Sequence, residues 1–148
     1  MMNKDDELLR ELLQTFHEEA AEHLQTLNQS LLKLERQPEE AVRAELMQEA
    51  FRTAHSLKGA ARAVSMTEVE SLSHAMEDVL KQARDDKLQL DAAACDVLYN
   101  TLDTIQRLLN GEMLDISAQH NELMTVSGGK LLPVTEAEEG SSPTPETE

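Results

Sequence analysis

Helix-breaking residues are almost absent from most of this chain, where Pro38 and Gly59 are the only proline and glycine before Gly111. Proline and glycine are the residues that a helix interior tolerates least. Leucine, alanine, glutamate, glutamine and methionine dominate instead, and aromatic residues make up only 2% of the sequence. This composition predicts an all-α protein.

Apolar residues recur at three- and four-residue steps along four segments, which places each set on one face of a helix. Helices are expected over about 5–35, 39–64 and 67–84, then from a cap at Asp91 to near Gly111, with a weaker fifth helix over 117–126. The apolar positions are Leu13, Phe16, Ala20, Leu24, Leu27, Leu31 and Leu34; Leu46, Ala50, Ala54, Leu57, Ala61 and Val64; Val69, Leu72, Met76, Val79, Leu80 and Ala83; and Ala94, Leu98, Leu102, Ile105 and Leu109.

The connections between these segments are short. Pro38 ends the first helix and suits the first turn of the second, while Thr67 and Glu70 match the capping box that begins many helices. Short connections between long helices favour antiparallel neighbours. The expected fold is therefore all-α: an antiparallel four-helix bundle with an additional fifth helix.

The chain divides by composition into two parts: a bundle over 1–127 and an acidic, Pro/Ser-containing linker, expected to be disordered, over 128–148. The formal net charge is −16, of which the stretch 131–148 contributes −5 and the remainder −11. Such an acidic body repels nucleic acid and anionic membranes, so we expect neither as a partner. Partners with basic patches are favoured.

Several classes of site are disfavoured by what the sequence lacks. Cys95 is the only cysteine, which rules out an intrachain disulfide and a cysteine-based zinc site. No histidine follows a glutamate by three residues, as a carboxylate-bridged metal bundle requires, and no Walker-type phosphate loop occurs. We therefore expect no metal and no bound cofactor in this chain. Without a membrane-spanning run or an apolar signal core, a cytoplasmic location is expected.

His55 is the first candidate for chemistry. On a helix of about 100° per residue, it points roughly 140° away from the centre of the apolar stripe. Arg52 and Lys58 lie beside it, and Gly59 follows one turn on. This arrangement suits a histidine that meets another protein and carries a phosphoryl group. The plain alternative is a solvated surface histidine, with its cations in weak surface ion pairs.

A second candidate segment contains His74 and Glu77, which share a helix face that we expect to lie outside the core. A carboxylate that accepts a hydrogen bond from imidazole Nδ1 leaves Nε2 free. Glu77 is our candidate for that role toward His55, with a solvated surface charge as the alternative. Lys58 would pair with phosphoryl oxygens, and Gly59 would let a partner approach closely.

Two runs carry a resemblance to a known family: Phe-Arg-Thr-Ala-His-Ser-Leu-Lys-Gly-Ala over 51–60 and Leu-Ser-His-Ala-Met-Glu-Asp-Val-Leu over 72–80. Together they resemble the histidine-containing phosphotransfer (HPt) domains and, more narrowly, the N-terminal domain of chemotaxis-type histidine kinases. The resemblance implies a five-helix bundle with His55 as the phospho-accepting residue. It implies that Lys58 and Gly59 accompany it, with His74 and Glu77 as supporting residues.

The function that this resemblance implies is a phosphoryl carrier in two-component signalling. His55 would accept the γ-phosphoryl group of ATP from a separate kinase domain, which binds ATP and Mg²⁺, and pass it to an aspartate of a response-regulator receiver domain. The chain would then be the phosphotransfer domain of a histidine kinase without its ATP-binding module. The alternatives are a free-standing shuttle between regulators and a non-catalytic helical adaptor.

Overall fold

A computed structural model of the protein describes residues 3–128 and places five helices in that range. They are α1 (Lys4–Glu35), α2 (Glu40–Ala63), α3 (Thr67–Arg84), α4 (Ala92–Leu109) and α5 (Ser117–Val126). The described residues contain no strand. The all-α prediction is confirmed, and the helix bounds lie within about two residues of those expected.

The first four helices form a closed ring in which α1 packs on α2 and α4, and α3 packs on α2 and α4. Cross-helix contacts show that neighbours run antiparallel. The Tyr99 hydroxyl of α4 donates to Glu35 at the end of α1 (2.7 Å), while His17 near the start of α1 lies 3.1 Å from the carbonyl oxygen of Leu109. The fifth helix packs against α3 and α4.

The core consists of the predicted apolar stripes. All but two of their residues are buried, and the exceptions, Leu13 within α1 and Val64 directly after α2, are half-buried. The buried apolar residues outside these stripes are Met47, Ala75, Cys95, Leu108 and Leu123. Each large aliphatic side chain removed from water stabilises the fold by about 1.5–3 kcal/mol before entropic costs. The stripes therefore supply the core, and the side chains that face outward on α2 and α3 do not contribute to it.

One predicted helix cap is confirmed and another is wrong. Asp91 caps α4 by accepting a hydrogen bond from the Ala94 N–H at 2.8 Å. At α3 the residue in the cap position is Met66, without a side-chain hydrogen bond, and Thr67 is already helical. The reason lies in the preceding turn, where Ser65 is left-handed (φ 61°) and the Met66 N–H bonds back to Ala61 at 2.9 Å. This closure of α2 shifts the start of α3.

The turn after α4 matches its sequence signal. Gly111 has a φ of 93°, in the left-handed region that glycine adopts without strain. Among residues 3–128, none of the helices combines the length and apolar character needed to cross a bilayer. The predicted acidic linker over 128–148 lies outside the described residues, apart from Gly128.

Candidate functional site

The second helix presents His55 to solvent. The side chain is 62% exposed, whereas its neighbours Ala54 and Leu57 are fully buried. The apolar stripe therefore orients α2 so that the imidazole faces outward, as the helical spacing predicts. Lys58 lies three residues further along the helix and is 24% exposed.

Glu77 of α3 joins these two side chains. Its Oε2 accepts a hydrogen bond from Nδ1 of His55, and its Oε1 accepts one from Nζ of Lys58 at 2.7 Å. The carboxylate is only 9% exposed. Burial by itself raises the pKa of Glu77, but the hydrogen bonds and positive charge of Lys58, together with those of His55, outweigh burial and hold the pKa below its usual value. The carboxylate is thus ionised at neutral pH.

The burial of Glu77 corrects the expectation that the His74–Glu77 segment lies outside the core. Glu77 faces the junction of α2 and α3 and is not a solvated surface charge. A helical wheel gives the angle between two residues but not how closely the next helix packs. The packing of α3 against α2 covers Glu77 and leaves His74 exposed.

The hydrogen bond from Glu77 selects one form of the His55 ring. A neutral imidazole carries one donor nitrogen and one acceptor nitrogen. Because a carboxylate can only accept, Nδ1 carries the proton, and the lone pair resides on Nε2. Within residues 3–128, Nε2 of His55 makes no hydrogen bond. The site therefore presents a nucleophilic nitrogen to solvent on a ring that is anchored from behind.

Gly59 leaves open space one turn beyond His55. A Cβ atom built at this position meets nothing within 4 Å beyond the adjoining residues and backbone of its own helix. Glycine is therefore not required here by packing within the bundle, and its helical conformation does not require it either. The space beside His55 is open at this point and leaves room for a partner.

Among the predicted site side chains, His74 alone lies outside the hydrogen-bonded group that Glu77 forms with His55 and Lys58. It is exposed on α3 and lies toward α5, where burial of His120 and, to a lesser extent, the nearby His74 lower the pKa of His120. Its predicted supporting role stays a prediction.

Two residues at the site have no assigned part in the sequence analysis. The ring of Phe51, one turn before His55, is stacked with the imidazole at a centroid distance of 6.3 Å and an angle of 21°. The guanidinium of Arg84, the last residue of α3, lies 4.3 Å from the centroid of the Phe51 ring. The spacing of four between Phe51 and His55 was an available signal, because it places both rings on one face. The contact with Arg84 depends on the register between α2 and α3, which no local pattern contains.

No three His, Cys, Asp or Glu side chains come together as a metal-binding group in the part of the chain that the structure describes.

Comparison with known proteins identifies relatives of most of this chain. A family model described as the Hpt domain matches residues 11–111. The chemotaxis protein CheA of Listeria monocytogenes is 35% identical over 99 residues, which are 67% of this chain and 16% of that protein. CheA of Bacillus subtilis is 33% identical over 101 residues, which are 68% of this chain and 15% of that protein. The chain thus corresponds to a small part of these curated relatives.

Two solved structures share the fold. The CheA phosphotransferase domain from Thermotoga maritima superposes with a TM-score of 0.63 at 36% identity, covering 68% of this chain and 93% of that domain. The phosphorylated P1 domain of CheA3, solved in complex with CheY6 from R. sphaeroides, superposes with a TM-score of 0.69. It is 23% identical and covers 80% of this chain and 96% of that one, so it supports the fold alone.

Proposed function

The chain belongs to the Hpt domain family of phosphoryl carriers in two-component signalling, and on that premise we propose that Nε2 of His55 is the atom that accepts the phosphoryl group. The single observation that carries this proposal is the hydrogen bond between Nδ1 of His55 and the buried carboxylate of Glu77. It leaves the Nε2 lone pair directed at solvent, where a second protein can deliver a phosphoryl group.

The proposed transfer has two steps. The Nε2 lone pair attacks the γ-phosphorus of ATP, which a separate kinase domain binds together with Mg²⁺. The bond from that phosphorus to the bridging oxygen breaks, ADP leaves, and the imidazole ring gains positive charge. An aspartate carboxylate of a response-regulator receiver domain then attacks the same phosphorus, the N–P bond breaks, and the neutral ring is restored.

Glu77 stabilises the first step in this proposal. Its carboxylate stays hydrogen-bonded to the Nδ1–H while the ring becomes cationic, so an opposite charge is already in place when the positive charge forms. No reorganisation of solvent is needed behind the ring, because the carboxylate is almost completely buried. This is an orienting and electrostatic role, and Glu77 does not touch the phosphorus.

Lys58 pairs with two different groups in this proposal, first the Glu77 carboxylate and then the phosphoryl oxygens. Its ammonium group is bound to Glu77 at 2.7 Å, which neutralises the carboxylate in the unphosphorylated state. Once phosphoryl oxygens are attached to Nε2, one turn away on the same helix, the partly exposed Lys58 can pair with them. A cation so placed offsets part of the charge that the phosphoryl group adds to an acidic surface.

The partners are protein domains, and the exposed face of α2 is where we propose that they bind. Gly59 leaves room for a close approach beside His55. The CheA3 P1 domain that shares this fold was solved in complex with CheY6. By analogy we propose a receiver domain as the recipient, and we propose that this chain serves as the phosphotransfer domain of a histidine kinase of the CheA type.

The test is transfer of labelled phosphate from ATP by the catalytic domain of a CheA-type kinase, in wild type and in His55→Gln. The proposal predicts an acid-labile, alkali-stable label that His55→Gln abolishes and that His23→Gln, a histidine change on α1, leaves intact. Label retained in His55→Gln would assign the acceptor elsewhere. If an active kinase adds no label and a phosphorylated receiver domain transfers none back, the chain is a binding-only adaptor.

A further inference from the structure

Phe51 contacts His55, the proposed phosphoryl acceptor. Its ring and the His55 imidazole are nearly parallel, with an angle of 21° and a centroid distance of 6.3 Å. This distance lies within the range of offset-stacked aromatic pairs. Phe51 is half-buried, so one part of its ring is held by the bundle while another part contacts the imidazole.

Arg84 holds Phe51 from the neighbouring helix. Its guanidinium carbon lies 4.3 Å from the centre of the Phe51 ring, well inside the range of a cation–π contact. Its Nε donates a hydrogen bond to Asp85 at 3.1 Å, which limits the movement of the guanidinium. Phe51 is therefore tied both to its own helix and to the end of α3.

The two contacts of His55 come from the same pair of helices. Phe51 and His55 are four residues apart on α2, and Glu77 and Arg84 are seven apart on α3, so each pair lies along one helix face. Because α2 and α3 run antiparallel, the register that brings Glu77 to His55 also brings Arg84 to Phe51. One helix–helix register thus sets both contacts.

We propose that Phe51, held by Arg84, is a positioning residue that fixes the plane of the His55 ring. The hydrogen bond to Glu77 determines where Nδ1 points, but it leaves the ring able to rock about that bond. An aromatic face lying nearly parallel to the imidazole restricts the rocking, and so fixes the direction in which the Nε2 lone pair points. Phosphoryl transfer is sensitive to this direction, because the nucleophile must lie in line with the leaving oxygen.

This inference rests on His55 being the acceptor, so the experiment separates the two. The stacking is read by NMR, without any phosphorylation, as the ring-current shift of the two imidazole C–H protons of His55. The reaction is read as the single-turnover rate at saturating concentrations of a CheA-type kinase catalytic domain and ATP. His55→Gln tests the acceptor assignment in the same assay.

Four variants test the positioning role. Phe51→Leu should abolish the ring-current shift and lower the saturated rate by roughly three- to tenfold, with the half-saturating kinase concentration unchanged. Phe51→Tyr keeps an aromatic ring and should keep the wild-type ring-current shift and the wild-type rate. Arg84→Met keeps the apolar stem without the cation, and it should reduce both the ring-current shift and the saturated rate. Arg107→Met is the matched control, because it removes an arginine that pairs with Glu112 (2.8 Å) from the last turn of α4, a helix that does not contact α2, and it should change neither.

Two results would overturn the inference. A wild-type rate in Phe51→Leu despite the loss of the ring-current shift would show that the stacking does not matter for transfer. An unchanged ring-current shift in Arg84→Met would show that Arg84 does not hold the ring. If Phe51→Leu failed to fold, Phe51→Tyr and Arg84→Met would still decide the question. Failure of the acceptor assignment would appear separately, as label retained in His55→Gln.

Discussion

Nδ1 of His55 is hydrogen-bonded to Oε2 of Glu77, so that an exposed imidazole on one helix is anchored to an almost buried carboxylate on the next. The two side chains lie in different environments. The carboxylate is shielded from water and from direct attack, whereas the ring keeps its second nitrogen accessible. A surface histidine without such a partner would exchange between tautomers and rotamers, and only some of these would point a lone pair at an incoming phosphorus.

Replacing Glu77 with glutamine should slow phosphorylation of His55 while leaving the bundle folded. The amide oxygen can accept from Nδ1–H, but the amide NH₂ would then face the ammonium of Lys58, a second donor. Either hydrogen bond is therefore made at the expense of the other. We expect the single-turnover rate to fall by roughly tenfold, with an unchanged circular dichroism spectrum. Glu70→Gln, a matched change on α3, should keep the wild-type rate, and an equally fast Glu77→Gln variant would exclude Glu77 from the reaction.

The same carboxylate predicts how stability depends on pH. Since the folded-state pKa of Glu77 lies below its usual value of 4.5, its contribution is fully present above pH 4.5 and is lost as the pH falls below that value through the folded-state pKa. The free energy of unfolding, measured by urea titration between pH 7 and pH 3, should decrease more steeply in wild type than in Glu77→Gln. The difference between the two curves removes the contribution of the other carboxylates. Parallel curves would contradict the lowered pKa.

Gly59→Ala should raise stability and slow transfer at the same time. The added methyl group meets nothing within 4 Å beyond the adjoining residues and backbone of its own helix, and alanine is favoured over glycine in a helix by about 1 kcal/mol. If a partner domain approaches at Gly59, the methyl group lies in its path. The two measurements are the free energy of unfolding and the rate of phosphoryl transfer to a receiver domain.

A control for Gly59→Ala is available on the same helix. Glu45→Ala introduces alanine at an exposed position of α2 away from His55 and should leave the transfer rate unchanged. A Gly59→Ala variant that is more stable and equally fast would show that partners do not approach over this residue.

Two helix starts that look alike in sequence should respond differently to alanine. Asp91→Ala removes a side chain that accepts from the Ala94 N–H at 2.8 Å, and it should lower the free energy of unfolding by about 1 kcal/mol. Thr67→Ala removes no capping hydrogen bond and should change stability by less than about 0.5 kcal/mol. Equal losses in the two variants, measured by urea unfolding, would contradict the assignment of Met66 as the cap of α3.

The helices could be predicted because their signals are local. Apolar spacing defines the buried face of each helix. Pro38 and Gly111 mark helix ends through their backbone chemistry, and Asp91 marks the start of α4 through its side-chain cap. The cap at Thr67 was wrong because the preceding turn, which closes α2 with a left-handed Ser65, decides where α3 begins. A local motif cannot report such a neighbouring constraint.

The site likewise has features that the sequence predicts and features that depend on helix packing. The outward direction of His55 follows from its angle to the apolar stripe, and this part of the prediction agrees with its exposure. The burial of Glu77 and the contact between Arg84 and Phe51 depend on how α3 lies against α2. That register is a property of the packed pair, so it becomes visible only when both helices are in place.

The exposure of the His55 ring has a consequence for how long a signal lasts. Water can reach an Nε2-bound phosphoryl group, since the side chain that carries it stands on the surface of a helix. Residues 3–128 do not enclose the ring, so within that part of the chain the lifetime of the N–P bond is set by its own chemistry and by how soon a recipient arrives. Under the proposed function, this domain carries the phosphoryl group in an exposed position, and the proteins that bind the domain determine when and to which recipient the group is transferred.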